Sequence, residues 1–202
     1  MDGQAVPLQK PRSNNRRQAI LDAAAYRFRR QGYAATTMRD IATDAGMLAG
    51  SMYYHFAAKS ALLLAVHQEG VRRIADAVDA ALTDESLAAD PWARLEAALA
   101  AHLENLLDGG DYAQVVIRDL PADEPELKHQ LIQLRDDYED RFRALTDALP
   151  LPAADKTGLR LLLLGAANWS KTWFRTDGMP PAQIAAQFVR LVRAPHQKGD
   201  TV

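Results

Sequence analysis

The chain has 202 residues, no cysteine and a formal net charge of −2. That length can bury a sizeable core in one or two domains, and the lack of cysteine excludes a disulfide framework, a cysteine-built zinc site and a thiol nucleophile. No apolar run reaches the length of a membrane span, and the polar start MDGQAVPLQKPRSNNRR has no signal-peptide core, so the protein is expected in the cytoplasm, at the nucleoid, with no membrane partner.

The small net charge hides an asymmetry. Residues 1–59 carry nine Lys/Arg against four Asp/Glu, whereas residues 60–202 carry fifteen against twenty-two. A basic N-terminal part on an acidic body approaches a polyanion in one orientation. Nearly all the periodicity is helical, with no alternating strand bounded by hairpin signals. The predicted fold class is therefore all-α, with about nine helices.

In chain order, residues 1–13 hold Pro7 and Pro11 and read as a flexible arm. A first helix is predicted over residues 15–31, where Leu21, Ala24, Ala25 and Phe28 form one apolar face, with Gly32 as its left-handed cap. Thr37 opens a second helix, and Asp40 three residues on completes a capping box. Met38, Ile41, Ala42 and Ala45 repeat the apolar spacing, and Gly46 makes the tight turn. A third helix is predicted over residues 49–55, with Met52 and Phe56 plugging a small core. A fourth runs from Lys59 to about Leu82. Asp90 caps a fifth that starts at Pro91 and ends at Asp108. Shorter and longer helices follow over residues 112–120 and 124–149, the second with Leu127, Leu131, Tyr138, Phe142 and Leu145 along one side. Pro150 and Pro152 break the chain before residues 159–173, and a last helix reaches about Arg193.

The segment around Gly46 combines two short helices, a glycine turn and a dense run of small, hydroxyl and aromatic side chains. In a helix-turn-helix the second helix needs short side chains against base edges and hydrogen-bonding groups at its flanks for phosphates. Leu48-Ala49-Gly50-Ser51-Met52-Tyr53-Tyr54-His55 meets this need. An ordinary helical hairpin would share the periodicity, but the basic first helix, the capping box and Lys59 downstream all favour DNA. Enzyme readings find little footing. The five histidines do not pair at metal-ligand spacing, Gly50-Ser51 lacks the flanks of a nucleophile elbow, and no glycine loop for phosphate occurs. No metal, cofactor or catalytic residue is expected.

The pattern T-x-x-D-I-A-x-x-A-G, followed by G-S-M-Y-Y-H-F-x-x-K, resembles the DNA-binding head of the TetR family of bacterial transcriptional regulators. The resemblance covers residues 14–74, with the helix-turn-helix at 37–56. It implies residues 75–195 as an effector-binding and dimerisation domain, and a tail at 196–202. It also implies a homodimer with its two heads in successive major grooves of a palindromic double-stranded operator, released when a small-molecule effector binds. Carried over by position, Thr37 docks on a phosphate through its helix start. Leu48, Ala49 and Ser51 face bases or the adjoining backbone. Tyr53 touches DNA, Tyr54 and His55 lie on the phosphate side, and Lys59 grips a phosphate.

The second half carries less. Residues 161–175 are apolar on nearly every face, as in a helix buried on two sides. Leu161, Leu164 and Gly165, with Phe188 and Leu191 of the last helix, are the expected dimer interface. Residues 173–181 are similar to a subgroup that governs acyl-CoA breakdown, departing at Thr176, where the subgroup often has proline. That resemblance implies an acyl-CoA effector in an apolar tunnel with cations at its mouth, and His102, Asn168, Trp169 and Trp173 are the candidate ligand contacts. Two alternatives stay open: an activator or effector-free DNA binder, and a helical interaction module with no DNA affinity.

Overall fold

A computed structural model describes residues 12–108, 110–118, 121 and 123–194. The described residues form nine α-helices and two short 3-10 turns, with no strand among them. The expected arm and tail lie outside the described residues apart from the start of the first helix. The chain divides into two compact units, one ending at Val66 and the other starting at His67. The sequence expectation put that boundary at residue 74, eight residues further along the same helix.

The first unit holds α1 (Arg12–Ala35), α2 (Met38–Asp44), α3 (Ala49–Met52) and the start of α4 (Lys59–Ala81). Its core is the predicted face of α1: Leu21, Ala24, Ala25 and Phe28 are all buried, and Ile41, Met52, Phe56 and Leu62 join them. Gly32 interrupts α1 with φ 80 and ψ 167. Its φ is positive, as a cap requires, but its ψ is extended, so it redirects the chain rather than closing a left-handed cap. α3 is shorter than expected. Regular helix stops at Met52, and the backbone tightens, with His55 N–H donating to the Met52 carbonyl at 2.9 Å. Met52 and Phe56 are both buried, so the chain between them must turn inward within one tight turn, and Tyr53–Tyr54–His55 are carried on that turn.

The second unit contains the rest of α4, then α5 (Pro91–Asp108), α6 (Gly110–Val116), α7 (Pro125–Asp147), α8 (Ala153–Trp169) and α9 (Pro181–Arg193). Asp90 caps α5 as the sequence predicts, its carboxylate accepting from the N–H groups of Trp92 and Ala93. α5 is the central helix, packed on α6, α7, α8 and most extensively on α9. Trp92, Leu95, Leu99, Leu103 and Leu106 line one face of it, and buried Ala98, Ala101 and His102 widen that face, as in a helix packed on more than one neighbour. Tyr138 and Phe142 of α7, Leu163 and Ala167 of α8 and Ile184 and Val189 of α9 complete this core. α8 begins six residues before its predicted start, because nothing in Ala153–Gly158 opposes a helix once Pro152 has set the entry. None of the described helices is long and apolar enough to cross a membrane.

Candidate nucleic-acid interface and ligand cavity

The N-terminal site is built on a rigid corner. Thr37 is the N-cap of α2: its Oγ1 accepts from Asp40 N–H at 3.1 Å, and Asp40 Oδ2 accepts from Thr37 N–H at 3.1 Å and from the Thr37 hydroxyl at 2.6 Å. These bonds hold the Asp40 carboxyl below its usual range, the Thr37 hydroxyl contributing most. Both polar hydrogens of Thr37 are thus engaged by Asp40, so Thr37 shapes the helix start. Asp44 at the other end of α2 pairs with Arg27 of α1, which fixes α2 against the first helix. The Arg27 hydrogen bond also depresses the Asp44 pKa.

On this corner the residues expected to face DNA are exposed or half-buried. Leu48 is 79% accessible, Tyr53 56% and Tyr54 91%, whereas their neighbour Met52 is fully buried. His55 and Thr37 are exposed, and Ala49 and Ser51 are half-buried. Packing gives no internal reason to hold a leucine and two tyrosines of one short segment in water, and exposed apolar surface of this kind marks a place for a partner. Gly46, with φ 66, turns the chain between α2 and α3 and has nothing within 4 Å of where a side chain would start.

Lys59, expected to grip a phosphate, is engaged within the chain. Its Nζ donates to the carbonyls of Tyr33 at 2.8 Å, Thr36 at 2.9 Å and Ala34 at 3.4 Å. It also sits 4.3 Å from the centre of the Tyr33 ring. The ammonium therefore closes the end of α1 onto the approach to Thr37, satisfying carbonyls that a helix terminus leaves open.

The second unit encloses a cavity of about 430 Å³. Val71 and Ile74 of α4, Leu106 of α5, Leu131 of α7 and Leu164 of α8 supply apolar wall. Three cations, Arg118, Arg135 and Lys171, also line it, and all three are exposed, which puts them at its mouth. Lys171 Nζ donates to the Ile117 carbonyl at 3.3 Å, tying the turn after α8 to the end of α6. The interior has a polar pair: His102 Nδ1 and the Tyr138 hydroxyl lie 2.6 Å apart, both buried. Phe142 meets the imidazole edge-on, with ring centres 5.8 Å apart. Burial drives the His102 pKa down to about 4 against a smaller opposing pull from Asn168, so this imidazole is neutral at neutral pH. Burial likewise raises the pKa of the Tyr138 phenol.

Of the expected ligand contacts, His102, Asn168 and Trp169 line this cavity and Trp173 does not. Trp173 follows the 3-10 turn Ser170–Thr172, which ends the α8 trajectory before it. Sequence reasoning missed His67, Tyr138 and the three cations. His67, Val71 and Ile74 share a face of α4 at helical spacing, a signal that could have been read. The cations come from three separate elements, and no sequence pattern joins them.

Among the expected interface residues, Leu161 is 56% and Leu191 61% accessible, and Leu162 joins them at 59%. Gly165 is also exposed, and Phe188 is half-buried against the core. Leu164 needs correction: it is 5% accessible, packed in the core of its own unit, and cannot be offered to a second chain. One residue of offset on a helix turns a side chain by about 100°, from the outer face to the inner one.

Comparison with known proteins agrees with both halves of this picture. Residues 20–66 match the family model "Bacterial regulatory proteins, tetR family", and residues 88–195 match "Tetracyclin repressor-like, C-terminal domain". The transcriptional repressor KstR2 of Mycobacterium tuberculosis is 30% identical over 190 residues, covering 89% of this chain and 92% of that protein. The solved structure of AibR in complex with isovaleryl coenzyme A and operator DNA superposes with a TM-score of 0.72 at 25% identity, over 87% of this chain and 97% of that one. The ketosteroid regulator KstR2 of M. tuberculosis superposes at 0.68 with 22% identity, over 90% and 95% of the two chains, which bears on the fold alone. An exposed reading surface on a capped helix-turn-helix, an α-helical second unit with its own cavity, and these matches together place the chain in the TetR family of DNA-binding transcriptional regulators.

Proposed function

We propose that the protein is a homodimeric repressor that leaves its operator when a CoA thioester fills the cavity of the second unit. The observation that carries this reading is the make-up of that cavity: a largely apolar wall around one buried polar pair, with Arg118, Arg135 and Lys171 at its mouth. An acyl chain removes apolar surface from water inside, and the phosphates of coenzyme A find cations outside. AibR is a similar protein that binds both an acyl-CoA and its operator, and KstR2 is a similar repressor. α4 carries Lys59 at its start and His67, Val71 and Ile74 further along, so one helix belongs both to the DNA-binding unit and to the ligand site.

The dimer reading rests on the outer face of α8 and α9, two helices in contact. Leu161, Leu162 and Leu191 are left in water by the single chain, and burying them against a twofold copy returns that apolar area. On DNA, Tyr53, Tyr54 and His55 meet phosphates, and Leu48, Ala49 and Ser51 approach base edges, with Thr37 setting the start of α2.

The test is a fluorescence-anisotropy titration of the protein on the DNA upstream of its own gene, repeated with CoA thioesters of graded chain length, with free CoA and with the free acids. Release by a thioester, and by neither of its halves alone, is the expected result. Trp169 on the cavity wall offers a direct binding signal. Failure of every chain length both to alter that fluorescence and to release DNA would remove the acyl-CoA reading.

A further inference from the structure

The interior of the cavity has a hydrogen-bonding bias that its apolar walls do not require. Among the described residues, the buried His102 Nε2 has no hydrogen-bond partner of normal geometry. His102 and Asn168 both line the cavity, and the Asn168 side chain lies near enough to the imidazole to pull its pKa upward against burial. The other ring nitrogen faces the Tyr138 hydroxyl at 2.6 Å.

The proton inventory fixes the direction of that bond. A phenol has one O–H to donate, and a neutral imidazole has one N–H and one bare nitrogen. If Nδ1 held the proton and donated to the phenol oxygen, the Tyr138 O–H would lie buried without an acceptor, and Nε2 would be a bare acceptor as well. Two buried groups would then go unsatisfied, each costing about 1–3 kcal/mol. If Tyr138 donates to Nδ1, the proton sits on Nε2 and a single group is left over: the buried N–H donor of a residue that lines the cavity. Buried donors without a partner are rare and call for an explanation.

We propose that His102 Nε2–H is the specificity contact of the cavity, donating to the carbonyl oxygen of the bound effector, with Tyr138 as the positioning residue that holds the tautomer. This rests on the effector reading above and narrows it. A neutral donor suits a neutral acceptor. A carboxylate at this depth would need a charged partner, and the cations stand at the mouth. An amine would meet a second donor. A thioester carbonyl satisfies the imidazole, leaves its acyl chain on the apolar wall, and sends the coenzyme toward the cations.

The experiment compares butyryl-, octanoyl- and lauroyl-CoA with their thioether twins, which have a methylene in place of the carbonyl and are otherwise identical. Binding to the wild-type chain is read by Trp fluorescence and by operator release. A site built to hydrogen-bond a group rejects the analogue lacking it. The thioester that binds best is therefore expected to exceed its twin by on the order of tenfold, as one buried bond implies. In His102→Leu that ratio falls to about one while apolar binding persists. Nitrogen-15 spectra of the wild-type imidazole are expected to show the proton on Nε2, and this holds whether or not the leucine variant folds. Equal binding of thioester and thioether by the wild type, or a proton found on Nδ1, overturns the proposal and leaves the acyl-CoA reading standing. If no CoA compound binds, both fall together.

Discussion

Replacing Lys59 separates two physical roles for one cation. In the structure its ammonium bonds the carbonyls of Tyr33 and Thr36 at 2.8 and 2.9 Å and that of Ala34 at 3.4 Å. Lys59→Met keeps the stem and removes the charge. Hydrogen bonds from a charged donor contribute about 1.5–3 kcal/mol each when shielded from water. Lys59 is half-buried, so we expect the pair of short bonds to be worth about 2 kcal/mol together, with about 0.5 kcal/mol more from the Tyr33 ring. Opening of the Gly32–Asp40 corner then becomes about sixtyfold more frequent. Amide exchange measured over residues 33–40 reports it directly. Operator affinity should fall as well, because Thr37 and α2 lose their anchor, but the slope of log affinity against log salt should be unchanged. A phosphate contact predicts the opposite signature: unaltered exchange and a slope shallower by about 0.9. That second pattern would refute the anchoring role.

Three further outcomes can be measured. Leu161→Glu places a charge where the proposed twofold contact excludes water. Sedimentation should show dimer association weakened by on the order of a hundredfold, and an unchanged dimer would move the interface elsewhere. Tyr53→Phe should lower binding to all operator variants alike, by about 1 kcal/mol for one phosphate hydrogen bond; a loss confined to certain sequences would make Tyr53 a base reader. Glu69 accepts from Arg72 at 2.9 Å and Arg73 at 2.7 Å, and these bonds, Arg72 first, lower its pKa from 4.5 to about 2. Its folded pKa is depressed, so its contribution is complete above pH 4.5 and is lost as pH falls toward 2. Urea unfolding of wild type and Glu69→Gln should therefore differ above that window and converge below it, by no more than about 1 kcal/mol because the pair is partly solvated.

The N-terminal unit was largely legible because its signals are local. The Thr37–Asp40 box spans four residues, Gly46 announces its turn, and Met52 and Phe56 lie one helical turn apart, so spacing along the chain is nearly the same thing as geometry. Even there, the length of α3 was decided by the core: burying Met52 and Phe56 tightens the backbone, and Tyr53 and Tyr54 stand on a turn instead of a helix. Lys59 shows the limit of position alone. A lysine at a helix start can face a phosphate or the carbonyls of a neighbouring helix end, and the choice depends on Tyr33 and Thr36, more than twenty residues earlier.

The second unit was legible as helices and not as a site. Periodicity gave α7 its inner face, Leu127, Leu131, Tyr138, Phe142 and Leu145, because burial repeats every three to four residues. Which helix lies beside which depends on packing between distant segments, and only the tertiary structure decided it. Leu164 lies one residue before the exposed Gly165, and that turn of about 100° separates core from surface. His102 and Tyr138 are thirty-six residues apart and form one hydrogen bond, and Arg118, Arg135 and Lys171 share a cavity mouth across three elements. Local sequence determines the helices and their caps through short-range sterics and hydrogen bonding; the cavity and its bias toward a carbonyl arise where α4, α5, α7 and α8 converge.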